Sequence, residues 1–447
     1  METPPYNMVT APGASFPERR THVRYWIVAF LFLLTSVNYA DRATLSIVGP
    51  QLSKELKLDA AAMGWVFSAF AWAYALCQIP GGWLLDRFGS KQIYFWSIAL
   101  WSLFTVLQGC VGSLGSATAV TTLFALRFLL GVAESPSFPA NARIVAAWFP
   151  TAERGLASAI FNSAQYFATV AFAPLMGWIT HAFGWPPVFW SMGALGLACA
   201  ALWPRLIHGP REHPWINTAE IDHIERGGGL VDLDRKGPAV RWAMLGQLLG
   251  NRMLVGIYVG QYCITTLTWF FLTWFPLYLV QQRGMSILQA GFMASLPALC
   301  GFIGGVTGGF VSDRLLRRGV SLTTARKLPI ILGMLLSMTI VACNYVDAHW
   351  AVILFMSLAF FGKGIGALGW AVTADVSPKE ITGLNGGLFN MFGNLAGVTT
   401  PIVIGYIVKD TGQFDGALVY VGAHGLLAIV SYVLIVGEIK RVELKPS

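Results

Sequence analysis

Charged residues are scarce in this sequence. Asp, Glu, Lys and Arg make up 12% of its 447 residues, whereas about 25% is usual for a soluble domain. Hydrophobic residues make up 55%. A chain with so few charges cannot cover a water-facing surface, so we expect most of its surface to contact a lipid bilayer. The net charge of +8 then reflects basic residues beside apolar spans, which set topology, and we expect no nucleic-acid partner.

Clustered cysteines are missing as well. The six cysteines stand singly in apolar stretches, and no two of them form a CxxC pair. This pattern does not fit a metal site or a redox motif. We therefore expect buried, unpaired thiols, and we expect no metal and no cofactor.

The sequence contains many long apolar runs. A helix needs about 20 apolar residues to cross the hydrocarbon core, and twelve such runs can be marked: 25–48, 61–86, 92–111, 117–142, 155–181, 185–203, 253–281, 287–312, 327–345, 349–374, 382–408 and 415–436. The longest polar interruption lies between the sixth and seventh runs. We predict an all-α membrane protein with twelve transmembrane helices in two pseudo-symmetric six-helix halves, at 1–203 and 251–447, joined by a cytoplasmic linker at 204–250.

Lys and Arg are unevenly distributed among the loops. They occur in the N-terminal tail, the loop after the second run, the linker, the loop after the eighth run and the C-terminal tail. The loops around 112–116, 182–185 and 346–348 contain none. Because cytoplasmic loops carry an excess of Lys and Arg, we predict that both termini are cytoplasmic.

A short motif repeats at equivalent places in the two halves. Residues 81–87 (GGWLLDR) end the second run and residues 308–314 (GGFVSDR) end the eighth, and both read GGxxxDR. Glycines allow close helix approach, and an acid–base pair at a helix end is suited to gating. The candidate gating residues are Gly82, Asp86, Arg87, Asp313 and Arg314. A stop-transfer charge cluster is the alternative, and the repetition argues against it.

Five ionisable residues interrupt the apolar runs: Asp41, Arg42, Arg127, Glu134 and Lys363. A charge at the bilayer centre costs at least about 2.5–3.5 kcal/mol, so such residues usually mark a substrate or ion path. The cations can hold an anion and the carboxylates can carry protons, which predicts a transporter of a negatively charged solute. The alternatives are static ion pairs, of Arg42 with Asp41 or Glu134 and of Arg127 with Glu134, and pairing of Lys363 with a backbone carbonyl or with Asp375.

Several motifs resemble a known family. Residues 82–91 (GWLLDRFGSK) resemble the major facilitator superfamily. Within it, residues 38–43 (NYADRA), 70–82 (FAWAYALCQIPGG) and 131–139 (GVAESPSFP) resemble the anion:cation symporters of acidic sugars. The match to bacterial D-glucarate (hexarate) transporters is closer still at 144–150 (IVAAWFP), 161–170 (FNSAQYFATV) and 360–372 (FFGKGIGALGWAV).

The resemblance implies roles for individual residues. It places Arg42 on the substrate and gives proton exchange to Asp41 and Glu134. Six further residues match substrate-pocket positions of these symporters: Tyr39, Tyr74, Gln165, Gln261, Trp370 and Asn390. Asn162 is added only by its helical spacing to Gln165, Arg127 by its place two turns from Glu134 on the same helix face, and Lys363 as a cation for a second carboxylate. Each polar residue has interhelical hydrogen bonding as its alternative.

The function that follows is proton-coupled import of a sugar diacid, D-glucarate or galactarate, by alternating access. A symporter of a monocarboxylic sugar acid, such as a galactonate-like aldonate or a hexuronate, is the alternative. A membrane-embedded enzyme would need a nucleophile–base pair or a metal cluster in the spans, and none is visible. We expect a monomer in the bacterial inner membrane, with protons and a small anionic sugar acid as its partners.

Overall fold

The structure is a computed structural model that describes residues 20–150, 153–232, 245–378 and 382–443. The described residues of the first half, and of the linker as far as residue 232, contain eight α-helices: α1 (Val23–Glu55), α2 (Ala60–Phe88), α3 (Ser90–Gln108), α4 (Ser116–Glu134), α5 (Ser137–Trp148), α6 (Arg154–Phe183), α7 (Pro186–Leu206) and α8 (Thr218–Arg226).

The helix α9 (Leu245–Leu249) lies at the end of the linker, and the described residues of the second half contain eight α-helices: α10 (Arg252–Thr273), α11 (Phe275–Gln281), α12 (Ile287–Arg317), α13 (Leu322–Ser337), α14 (His349–Ile365), α15 (Gly369–Val376), α16 (Thr382–Thr411) and α17 (Asp415–Val430). A 3-10 segment, Met338–Tyr345, extends α13, and a π-helical segment, Ser431–Ile435, extends α17. The described residues contain no β-strand.

Eleven helical segments of the described chain are long and apolar enough to cross a membrane. The 30-residue helix α6 occupies the place of the remaining predicted span, and the predicted all-α membrane fold is confirmed. Three predicted spans are broken into two helices each, at Ser135–Pro136, Trp274 and 366–368. Proline explains the first two breaks, since Pro136 and Pro276 lack the amide hydrogen that a continuous helix needs.

The two halves pack by the same plan. In the first half α1 packs on α6, α2 on α4, α3 on α4 and α3 on α7. The second half repeats these contacts with α10 on α16, α12 on α14, α13 on α14 and α13 on α17. The GGxxxDR motifs end α2 and α12, which occupy equivalent positions. The predicted pseudo-symmetry is therefore present in the helix packing.

Two antiparallel helix pairs join the halves: α2 with α16, and α6 with α12. Glycines bring these helices close together. A Cβ added to Gly64 would lie 2.5 Å from the carbonyl oxygen of Pro401, and one added to Gly291 would lie 2.9 Å from that of Ala173. Both close contacts lie toward the end of the molecule where α1 ends and α2 begins. We call the other end, where α1 begins and α8 lies, the linker end.

The linker helix α8 is held against the start of α1. Arg24 Nη1 lies 2.8 Å from Glu220 Oε1, and its Nε lies 3.0 Å from Glu153 Oε2. Glu220 is fully buried and also accepts a hydrogen bond from the hydroxyl of Thr21. Burial works to raise the pKa of Glu153, but hydrogen bonds from His223 and Arg24 outweigh it and hold that pKa below its ordinary value.

The described cysteines are all unpaired. Cys199, Cys263 and Cys343 are buried, as expected, and Cys77 and Cys300 are half-buried. Cys110 is exposed at the end of α3, so the expectation of burial is wrong for this residue.

Candidate functional site

The ionisable residues of the first half meet between α1 and α4. Arg42 Nε lies 2.9 Å from Glu134 Oε2, and both side chains are buried. Glu134 is the last residue of α4, directly before the Ser135–Pro136 break. Arg42 therefore has a carboxylate partner within the protein, which was one of the alternatives drawn from the sequence. Arg42 Nη2 is buried without a hydrogen-bond partner among the described residues.

Arg127 joins α4 to the backbone of α1. Its Nη1 donates to the carbonyl oxygen of Asp41 and its Nη2 to that of Arg42, both at 3.4 Å. Within the described structure Arg127 forms no ion pair with Glu134 inside 4.0 Å. The two carboxylate oxygens of Asp41 are buried and have no hydrogen-bond partner in the same part of the chain. The cluster thus holds two carboxylates and two guanidinium groups with unused hydrogen-bonding capacity.

Three aromatic rings enclose the Arg42 guanidinium. Its Cζ lies 4.8 Å from the ring centroids of Tyr39, Phe70 and Tyr74. Phe70 is stacked on Tyr74, with the centroids 5.4 Å apart. A cation over an aromatic face gains about 0.5–2 kcal/mol, the more so when it is desolvated. These rings therefore fix the position of Arg42 independently of its ion pair.

A cleft lies between the halves beside this cluster. The first half contributes Tyr39, Gln165 and Tyr166 to its lining, and the second half contributes Thr268, Phe271 and Phe360. Tyr39 connects the cleft to Arg42, since its ring covers the guanidinium. A compound held between the halves would contact α1, α6, α10 and α14.

Lys363 approaches the cleft from the second half. Its side chain is 6% exposed, and its Nζ lies 5.1 Å from the Phe360 ring centroid and 5.8 Å from that of Tyr166. Lys363 has no ion-pair partner in the described part of the chain. Asp375, an alternative partner considered from the sequence, instead lies 2.8 Å from Arg326 Nε.

The remaining predicted binding residues have different surroundings. Gln261 Nε2 donates to the Thr265 hydroxyl at 3.2 Å. Gln165 Nε2 donates to the Asn162 carbonyl at 3.2 Å, and Asn162 itself is exposed. Trp370 is 55% exposed and packs edge-on against Phe389.

Asn390 forms a hydrogen bond across the two halves. Its Nδ2 donates to Gln78 Oε1 at 3.1 Å, so α16 of the second half is bonded to α2 of the first. This contact is the interhelical alternative that the sequence left open.

The predicted gating residues lie at the linker end. Arg87 packs its guanidinium over the rings of Trp83 and Phe88. Asp313 lies 3.6 Å from Arg326 on α13, within the same half. Arg314 is exposed, and a Cβ added to Gly82 would meet nothing within 4 Å. The side chain of Asp86 lies outside the described part of the structure.

Four residues near the site were not selected from the sequence: Asn38, Phe70, Gln78 and Tyr166. Phe70 carries no polar signal in an apolar span. Gln78 and Asn38 are polar residues inside apolar spans, so selecting every polar residue in such a span would have found them. Both amide atoms of Asn38 are buried without a hydrogen-bond partner among the described residues.

Comparison with known proteins identifies the class. The family model described as Major Facilitator Superfamily matches residues 31–343. A crystal structure of a D-xylose-proton symporter superposes with a TM-score of 0.71 at 15% identity, covering 93% of this chain and 98% of that one. The chain belongs to the major facilitator superfamily and is a multi-pass membrane transporter.

Several curated transporters are much more similar in sequence. The Escherichia coli (strain K12) protein named "Probable galactarate/D-glucarate transporter GudP" is 62% identical over 440 residues, covering 97% of this chain and 98% of its own. The "Probable galactarate/D-glucarate transporter GarP" of the same strain is 57% identical, with coverages of 96% and 98%. The "D-galactonate transporter" of Escherichia coli O6:H1 is 41% identical, with coverages of 96% and 99%. These similarities are to transporters, so the enzyme alternative is set aside.

Proposed function

We propose that this chain is a proton-coupled symporter that imports a hexarate, D-glucarate or galactarate. The observation that carries the proposal is a buried cation behind each wall of one cleft. Arg42 lies against Tyr39, and Lys363 lies against Tyr166 and Phe360, and these three rings line the cleft. A hexarate has a carboxylate at each end, so the two cations offer one partner to each. The names of the relatives at 57–62% identity support this substrate.

The ion pair at Arg42 supplies a route for coupling. While Glu134 is ionised, its carboxylate forms an ion pair with the Arg42 guanidinium, with Oε2 2.9 Å from Nε. Protonation of Glu134 weakens that pair and frees the guanidinium for a substrate carboxylate, which it can bind bidentately. Asp41 is the second proton carrier. With both acids neutral, the cluster keeps the positive charges of Arg42 and Arg127, and Arg42 is free to bind one carboxylate of the hexarate while Lys363 binds the other.

The remaining polar residues complete the substrate site. We assign Tyr39, Tyr74, Gln165, Gln261, Trp370 and Asn390 to the sugar hydroxyls, with Asn162 at the edge of the site. In alternating access the cleft opens to one side of the membrane at a time, and the GGxxxDR ends of α2 and α12 close the linker end. The transporter is a monomer in the bacterial inner membrane with both termini in the cytoplasm, as the basic loops indicate. Its halves are 1–203 and 251–447, and the linker is 204–250.

A monocarboxylic sugar acid is the second candidate substrate, because the 41% identical relative is named a D-galactonate transporter. An aldonate would use Arg42 alone and leave Lys363 without a partner. Since a buried charge without a partner is costly, the position of Lys363 favours the diacid.

Counterflow in proteoliposomes tests the proposal. Vesicles loaded with unlabelled hexarate should take up labelled D-glucarate and galactarate, and labelled galactonate should enter far more slowly. Empty vesicles are the control. Faster exchange of galactonate than of either hexarate would assign the chain to the monocarboxylates.

A further inference from the structure

Contacts between α2 and α16 follow one register along both helices. Near the end opposite the linker, Asp59 just before α2 pairs with Lys409 at 3.0 Å, and Gly64 meets the α16 backbone at Pro401 and Gly405. Each step along α2 toward the linker end is matched by a step back along α16. The Gln78–Asn390 hydrogen bond is in this register and lies nearest the linker end of these contacts.

Beyond Gln78 the two helices separate. The register would next bring Gly81 and Gly82 opposite Gly387 and Gly386. A Cβ added to Gly82 or Gly387 would meet nothing within 4 Å, so neither glycine is in close contact with the facing helix. Toward the opposite end, glycines in the same helix pair are in backbone contact. The Gln78–Asn390 bond thus stands at the boundary between the closed and the open parts of the interface.

Gln78 also adjoins the Arg42 site. Tyr74, whose ring covers the Arg42 guanidinium at 4.8 Å, lies one helical turn before Gln78 on α2, and residues four apart are neighbours on a helix. Gln78 Nε2 is buried without a hydrogen-bond partner among the described residues. One side chain therefore connects the cation site of the first half to α16 of the second.

We propose that Gln78 is a positioning residue whose hydrogen bond to Asn390 is the fulcrum about which the two halves rock. When the linker end closes, Gly82 and Gly387 come together while the contacts at Gly64 and Gly405 part. The Gln78–Asn390 bond, between these two sets of glycines, is kept in both states. The inference rests on the proposed transport cycle and assigns to Gln78 a role in turnover rather than in substrate affinity.

Exchanging the lengths of the two hydrogen-bonded side chains tests this proposal. Gln78→Asn shortens one partner by a methylene, Asn390→Gln lengthens the other, and the double variant restores the combined length. We expect each single substitution to lower the turnover of counterflow about tenfold, the effect of losing one hydrogen bond, while Gln78→Asn changes substrate Kd by calorimetry less than about threefold. The double variant should recover turnover to within about threefold of the wild type. Thr35→Val is the matched control, because it removes a buried amide–hydroxyl bond to Asn141 (3.0 Å) within one half; its turnover should stay at the wild-type value.

Three results would overturn the fulcrum: independent, multiplying losses in the double variant, a loss confined to Kd, or wild-type turnover in both single variants. Melting temperatures without substrate separate a folding defect from a transport defect. If the wild-type chain does not exchange hexarates, the proposed substrate fails, and the same variants are compared on the sugar acid that it does exchange.

Discussion

The two halves place opposite charges at equivalent helix breaks. In the first half Glu134 ends α4 directly before the Ser135–Pro136 break. In the second half Lys363 lies in the last turn of α14, before the break at 366–368. Glu134 has Arg42 at 2.9 Å, whereas Lys363 has the rings of Phe360 and Tyr166 beside it and no ion-pair partner among the described residues.

This difference separates two tasks. The buried cluster of the first half holds two acids and two arginines, so its net charge changes each time a proton arrives or leaves. The second half offers one buried cation without an ionic partner among the described residues. A buried charge is strongly destabilising unless it is paired. The first half is therefore suited to proton exchange, and the second to holding an anion that comes from outside.

The largest effect is expected on proton-driven accumulation, when Glu134 or Asp41 is replaced. A hexarate carries two negative charges, and each charge crossing about 100 mV is worth about 2.3 kcal/mol. Two protons per hexarate remove that opposition, so Glu134→Gln should abolish accumulation driven by a pH gradient and leave some binding or exchange. Asp41→Asn should do the same, with a further binding defect because it adjoins Arg42. Accumulation is measured in proteoliposomes with and without a clamped potential. Normal accumulation in both variants, or a strict sodium requirement, would contradict the assignment.

The second largest effect is expected on hexarate affinity, when Arg42 is replaced. A charge-assisted hydrogen bond is worth roughly 1.5–3 kcal/mol, and an ammonium group cannot reproduce the two-pronged contact of a guanidinium. Arg42→Lys should therefore weaken hexarate binding about 10–100-fold, measured by calorimetry. Near-normal binding would mean that charge alone matters here and would make Arg42 equivalent to Lys363.

Selectivity provides the third test. If Lys363 holds the distal carboxylate, Lys363→Asn should weaken hexarate binding about tenfold or more and leave the affinity for an aldonate almost unchanged. Competition assays with both sugar acids measure the ratio. Equal losses for the two compounds would assign Lys363 to structure and remove the functional contrast between the halves.

The smallest effect concerns the rings around Arg42. Phe70→Leu removes one of three cation–π contacts, each worth about 0.5–2 kcal/mol, so we expect a loss of affinity of roughly three- to tenfold. Phe138→Leu is the control, because Phe138 packs on Tyr39 but does not cover the guanidinium. Equal losses in both variants would point to general packing around α1 rather than to the cation.

The sequence predicted the spans, the halves and the buried charges, because the length of an apolar run and a charged residue inside that run can both be read directly from the sequence. It did not predict which residues meet. The helical period shows which residues share one face of a helix, but it does not show which other helix packs against that face. The Gln78–Asn390 contact was therefore not predicted. Asn162 was added by its spacing to Gln165, yet three residues turn a helix by about 300°, which leaves the two side chains about 60° apart and Asn162 exposed. The break at 366–368 was also missed, since no proline marks it.

The ion pair between Arg24 and Glu220 bears on the order of assembly during synthesis. Arg24 stands in the first turn of α1, but its buried partner lies on α8, after all six spans of the first half. While the chain emerges from the ribosome, Arg24 has no contact with Glu220 until that half and the linker helix have been made. Docking of α8 therefore requires a completed first half, and its partners Thr21, Arg24 and Glu153 all lie in that half.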